Sequence, residues 1–136
     1  GSDSTQAGYG EISQTSIDYF SENIGDTILF SVNESTLRDD AIQTLNSQSI
    51  WLTENSAAPI TIEGHADEQG TREYNLALGA RRATAVRNYL VSQGVQESRL
   101  SIVTYGKERP IEVCSQERCW SKNRRSTTVV SGGLGN

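Results

Sequence analysis

The chain has 136 residues, 35% of them hydrophobic, with 12 Lys and Arg against 17 Asp and Glu for a formal net charge of −5. That length allows one domain with a single modest core. The acidic balance argues against a duplex nucleic-acid partner, which needs clustered Lys and Arg to neutralise phosphates. No apolar run approaches the length of a membrane span, and no signal peptide is visible. Gly1-Ser2 reads as a tag scar, so the native start is taken to have been removed.

In chain order, residues 1–14 are rich in Gly, Ser, Thr and Gln without an apolar period and read as a flexible tether. Residues 15–24 carry Ile17, Tyr19, Phe20 and Ile24, a weak helical pattern suited to packing on the domain's edge. Residues 26–32 predict a first strand. A turn over 33–36 follows, with Ser35 or Thr36 as helix cap and Asp39 in the first turn. Leu37, Ala41, Leu45, Ile50, Trp51 and Leu52 supply the apolar stripe of a helix to about Glu54. Pro59 ends the connecting loop.

Ile60 and Ile62 alternate with Thr61 and Glu63, which predicts a strand over 60–64 with one buried face. After a loop at 65–71, the longest helix is expected over 72–93, carried by Leu78, Ala85, Val86, Tyr89 and Leu90 and stopped by Gly94. A third strand covers 100–105 and a long loop 106–121. The last strand covers 125–130, and 132–136 form a disordered tail. The order β-α-β-α-β-β implies an α+β two-layer sandwich over residues 15–131. Its four-stranded mixed sheet carries two main helices on one face.

The two cysteines, Cys114 and Cys119, allow a disulfide, two free thiols or half of a metal site. Zinc needs about four N or S ligands, and His65, the lone histidine, is distant in sequence. The disulfide is the favoured reading, and it implies an oxidising compartment.

The stretch from 61 to 83 passes from strand through polar loop to helix, the arrangement that leaves backbone N–H groups free for a ligand. Asp67 stands at the strand's end and Arg82 well inside the helix, so together they suit a zwitterion: an ammonium on the acid, a carboxylate on the planar guanidinium fork. Asn75 and Arg82 are about two turns apart on one face. Gly79 between them leaves room for a ligand at a helix cost of about 1 kcal/mol relative to Ala. The blander alternatives are a mutual Asp67–Arg82 ion pair and a Gly79 that packs on the sheet. Replacing either charged residue by Ala is expected to abolish most binding with the fold intact. His65 reads as structural, and Tyr74 as packing at the rim. Asn123-Arg124-Arg125 reads as ordering the last strand through ion pairs. Glu63, Glu68 and Glu73 have no fixed separation of the kind glycoside cleavage requires, so a hydrolase is not expected.

The run Gly64-His65-Ala66-Asp67-Glu68-Gln69-Gly70-Thr71-Arg72-Glu73-Tyr74-Asn75-Leu76-Ala77-Leu78 resembles the signature of the OmpA-like peptidoglycan-binding domain. Its form is similar to the version carried by peptidoglycan-associated lipoproteins, and the Cys114/Cys119 loop with Trp120 resembles those of α-proteobacterial type. Arg82-Ala83, Ser98-Arg99-Leu100, Tyr105-Gly106-Lys107-Glu108-Arg109-Pro110 and Trp120-Ser121-Lys122-Asn123-Arg124-Arg125 continue it in register, so it covers roughly residues 26–131.

The resemblance implies a non-catalytic domain without cofactor or metal that binds the diaminopimelate of peptidoglycan stem peptides. The family's ligand-gripping acid falls on Asp67, its Arg on Arg82 and its helix Asn on Asn75. Thr71 and Leu78 lie within the same motif. Two positions depart from the family: Asn33 stands where it has Asp, and Gly79 where it often has Ser. A periplasmic location follows from the resemblance, with a lipid anchor in the outer membrane supplied by an N-terminal segment outside this sequence. So does membership of a Tol-Pal system with TolB as a partner on the same surface. A monomer is expected.

Overall fold

The computed structural model describes residues 13–55 and 58–131. Residues 1–12 of the expected tether and the expected tail at 132–136 lie outside the described residues. A short helix α1 (Ile17–Tyr19) runs into a π-helical segment (Phe20–Gly25). Then come β1 (Thr27–Leu29), α2 (Asp39–Glu54), β2 (Ile60–His65) and α3 (Arg72–Ser92). A 3-10 turn (Glu97–Arg99), β3 (Leu100–Gly106), α4 (Glu117–Asn123) and β4 (Arg125–Val130) complete the chain.

The strands form one sheet in the order β1-β4-β2-β3. β2 and β3 are parallel and joined by the α3 crossover, while β4 runs antiparallel between β1 and β2. The fold is thus the expected α+β sandwich with a four-stranded mixed sheet. The alternation in β2 does what it implied: Ile60 and Ile62 are buried under the helices. Around them Ala41, Leu45 and Leu52 from α2 and Ala83, Val86 and Leu90 from α3 form the apolar cluster with Phe20, Ile28 and Phe30.

Several boundaries differ from the sequence reading for identifiable reasons. β1 ends at Leu29, because beyond it the Phe30 N–H bonds to the Arg124 carbonyl at 2.8 Å and the chain turns, Glu34 N–H meeting Ser31 O at 3.1 Å. On α2 the buried stripe includes Gln48, whose amide donates to Gly25 O at 2.8 Å, while Ile50 points outward at 60% exposure. The expected loop at 106–121 contains the start of α4. Gln14, the last residue of the expected tether, accepts the Trp51 indole N–H on its carbonyl at 2.7 Å.

Gly79 sits against the sheet, with no ligand space over it. A Cβ there would lie 2.3 Å from Thr104 Oγ1 and 2.8 Å from Gly64 O, and a Cβ on Gly64 would lie 1.7 Å from Gly79 O. The two glycines let the N-terminal half of α3 touch β2 backbone to backbone. Thr104 closes the contact by donating to Leu76 O at 2.8 Å. This close approach sets Asn75 and Arg82 on α3 relative to the end of β2, which Asp67 follows.

Candidate functional site

The site is built on the turn that follows β2. Asp67 is 7% exposed, and its carboxylate is held from two sides. Oδ1 accepts the Gln69 N–H at 2.9 Å; Oδ2 accepts Gln69 Nε2 at 3.3 Å and Arg124 Nη1 at 3.1 Å. The first of these closes an Asx-type turn in which the acid shapes its own loop. Asn75 completes that loop from α3, donating to the Gln69 and Thr71 carbonyls at 2.7 and 3.0 Å. Thr71 caps α3, its hydroxyl accepting the Tyr74 N–H at 3.0 Å.

Arg82 does not pair with Asp67. It is fully buried, and its donors go to three backbone carbonyls: Nε to Glu34 at 2.8 Å, Nη1 to His65 at 2.9 Å and Nη2 to Ser31 at 3.0 Å. The guanidinium also lies 5.1 Å from the centre of the Phe30 ring. It therefore ties the 31–34 turn to the end of β2. Burial pushes it down to about 10 against the upward pull of the Asp67 charge, so it remains a cation at neutral pH.

Asn33 stands at the tip of the turn that Arg82 braces. Its φ of 58° lies in the left-handed region that Asn tolerates better than most residues. Its side-chain oxygen accepts the Tyr74 hydroxyl at 3.3 Å, which joins the turn to the start of α3. Tyr74 and the neighbouring Val32 are both substantially exposed at this rim. Leu78 is buried but lies outside the main apolar cluster. Two clefts, of about 360 Å³ against α2 and about 390 Å³ along the outer face of α3 beside Ser35 and Arg81, include neither Asp67 nor Arg82.

Residues 29–124 match the OmpA family. The chain belongs to that family. Proteins named peptidoglycan-associated lipoprotein are similar along most of its length. The one from Mesorhizobium japonicum is 54% identical, over 92% of this chain and 74% of its own. The one from Pseudomonas aeruginosa is 46% identical, over 73% of this chain and 58% of its own. The crystal structure of the peptidoglycan-associated lipoprotein from Burkholderia pseudomallei matches with a TM-score of 0.78 at 33% identity, covering 82% of this chain and 96% of that one. The C-terminal domain of Helicobacter pylori MotB shares the fold, with a TM-score of 0.72 at 22% identity over 78% of this chain and 84% of its own.

Within this OmpA-family domain, Asp67, Thr71, Asn75 and Asn33 are linked through short hydrogen-bonded steps, and Arg82 bonds the backbone on either side of them at Ser31, Glu34 and His65. Gly79 serves the helix–sheet contact. His65 is buried and bonds through Nε2 to Glu63 Oε1 at 3.2 Å, in keeping with a structural role, and its ring stacks on Tyr105 with 5.4 Å between centroids. Burial first, then the Arg125 charge, hold its imidazole below the ordinary value.

Sequence reasoning missed Arg124 as a site residue. It lies at the C-terminal end of α4, 5% exposed, and bridges Asp67 to Glu117, whose Oε2 it meets at 2.5 Å. Glu117 and then Asp67 hold its guanidinium above the usual value against burial. The sequence signals were the basic run at 123–125 and its place in the stretch 120–125 that continues the family motif. Its expected role with the sheet's acidic residues holds in part, since Arg124 reaches the acid just past β2 instead. The cysteines form the favoured disulfide, Cys114 to Cys119.

Proposed function

We propose that this domain binds peptidoglycan in the periplasm without catalysis, taking the diaminopimelate of the stem peptide. It thereby holds a lipid-anchored outer-membrane protein to the wall as part of a Tol-Pal system. The observation that carries the reading is Asp67: a nearly buried carboxylate, fixed in orientation, beside a buried guanidinium that stays charged. Diaminopimelate offers an ammonium and a carboxylate on one carbon. The ammonium takes Asp67. The carboxylate takes the two N–H donors of Arg82 that remain after its three carbonyl bonds. Arg82 has no exposed surface at rest, so the 31–34 turn must open for that contact. Asn33 acts through its backbone conformation and its bond to Tyr74, so the family's Asp is not needed for charge there. Modest affinity suffices, because many monomeric copies act on one polymer.

Co-sedimentation with purified peptidoglycan sacculi tests the reading. The wild-type domain is expected in the pellet, and Asp67→Asn, with its fold verified by circular dichroism, in the supernatant. Equal pelleting of both would remove Asp67 from the site.

A second reading, docking of TolB on the same surface, is favoured by the exposed Val32 and Tyr74 beside the site. A competition titration in which stem peptide fails to displace TolB would separate the two surfaces.

A further inference from the structure

The segment from Lys107 to Arg124 reaches the Asp67 loop at three points. Lys107 Nζ donates to Gly70 O at 2.6 Å, Trp120 Nε1 to Glu68 Oε2 at 3.0 Å, and Arg124 Nη1 to Asp67 Oδ2 at 3.1 Å. The Ser115 hydroxyl and the Trp120 indole also hold the Glu68 carboxyl below its usual range. Trp120 stands on α4 and Arg124 directly follows it. Arg124 is aimed by two further contacts: Nε donates to Phe30 O at 3.1 Å, and Nη1 and Nη2 meet the two oxygens of Glu117.

α4 has seven residues, too few for its own backbone bonds to keep it formed. Two features brace it. Asn123 at its end accepts the Ile111 and Glu112 N–H groups at 2.8 and 3.2 Å. At its other end the Cys114–Cys119 bond joins the helix to the chain that enters it, with Cys119 2% exposed. Closing that loop removes alternatives in which the first turn frays and Glu117 releases Arg124.

We propose that the disulfide-closed segment is a clamp that sets the Asp67 carboxylate for its ligand, and that Arg124 is the positioning residue through which the clamp acts. This rests on the peptidoglycan reading above. A carboxylate already fixed on both oxygens loses little further freedom when an ammonium arrives, whereas a released one must be ordered by the ligand itself. The Gln69 N–H, bonded to Asp67 Oδ1, reports the carboxylate's position without any ligand.

The test is calorimetric titration with a diaminopimelate-containing stem peptide, paired with ¹⁵N spectra of the free proteins. Arg124→Ala is expected to weaken binding about tenfold, the scale of one charge-assisted hydrogen bond. Arg124→Lys should recover part of that, as a point charge without the fork. Glu117→Ala removes an exposed side chain remote from the core, so it keeps the test independent of folding. It and the Cys114→Ser/Cys119→Ser double variant should each weaken binding several-fold and move the Gln69 resonance. Wild-type affinity with an unmoved Gln69 resonance in both would overturn the clamp while leaving the peptidoglycan reading intact. An oxidised wild-type domain that binds no stem peptide would overturn that reading and the clamp with it.

Discussion

The two halves of α3 bury comparable faces against the same sheet by opposite means. Its C-terminal half sets Ala83, Val86 and Leu90 into the apolar cluster over Ile60 and Ile62. Its N-terminal half buries Asn75, Gly79 and Arg82 beside a single leucine, Leu78, and the contacts of those three are directional: an amide on two loop carbonyls, a glycine on a glycine, a guanidinium on three carbonyls. The first half rests on area removed from water, which tolerates swaps of similar volume. The second rests on satisfied polar groups, where losing one partner strands the other. One continuous helix thus joins a forgiving core to an exacting site.

The sharpest break in that comparison is Arg82→Met, which keeps the bulk and removes the donors. The carbonyls of Ser31, Glu34 and His65 lose their partner together, so the loss should reach about 4 kcal/mol in urea denaturation, along with all stem-peptide binding. This corrects the expectation that substitution of Arg82 leaves the fold intact: the side chain is a brace as well as a candidate ligand contact. Gly64→Ala comes next, because the added methyl overlaps the Gly79 carbonyl. Prising α3 from β2 should cost about 3 kcal/mol by the same measurement and weaken binding. Leu90→Ala should cost a similar or slightly smaller amount, about 2–3 kcal/mol. It leaves stem-peptide affinity unchanged, and that contrast with Gly64→Ala is the check on the two-halves account.

The apolar half was readable from periodicity, since alternation in β2 and the spacing of Val86 and Leu90 each point to one buried face. The site was readable only where it is local. Asp67, Thr71 and Asn75 lie within one strand–loop–helix run, and the bonds that shape its loop, from the Gln69 N–H to Asp67, the Tyr74 N–H to Thr71 and Asn75 to the Gln69 carbonyl, stay inside it. Arg124 joins Asp67 across 57 positions, and no pattern along the chain carries such a contact. α4 was hidden for a related reason: a seven-residue helix has too few turns to show a period. Burial of Arg82 also ran against the usual exposure of charged side chains. Only the geometry of the 31–34 turn reveals that its carbonyls need a donor.

The smallest effect concerns pH. His65 faces Glu63 on its own strand, Arg125 on β4, Tyr105 on β3 and Arg109 from the following loop. Burial and Arg125 keep its folded value below that of an unfolded histidine, about 6.5. As pH falls through that value the unfolded chain takes up a proton that the folded one resists. The stability present above it is therefore progressively lost below it. Urea midpoints from pH 7.5 to 5.5 should decline in the wild type, and the slope should flatten in His65→Gln.

We propose that the polar half of α3 and the Asp67 loop recognise a zwitterion, with both charges of one carbon in use. Calorimetric titration of the domain with two stem peptides, one carrying diaminopimelate and the other lysine at that position, tests it most directly. Lysine keeps the ammonium and lacks the carboxylate. The account predicts that the lysine peptide binds at least about tenfold more weakly, the loss of a charge-assisted contact at Arg82. It also predicts that only the diaminopimelate peptide moves the amide resonances of the 31–34 turn. Equal affinities, with that turn unmoved by either peptide, would contradict it.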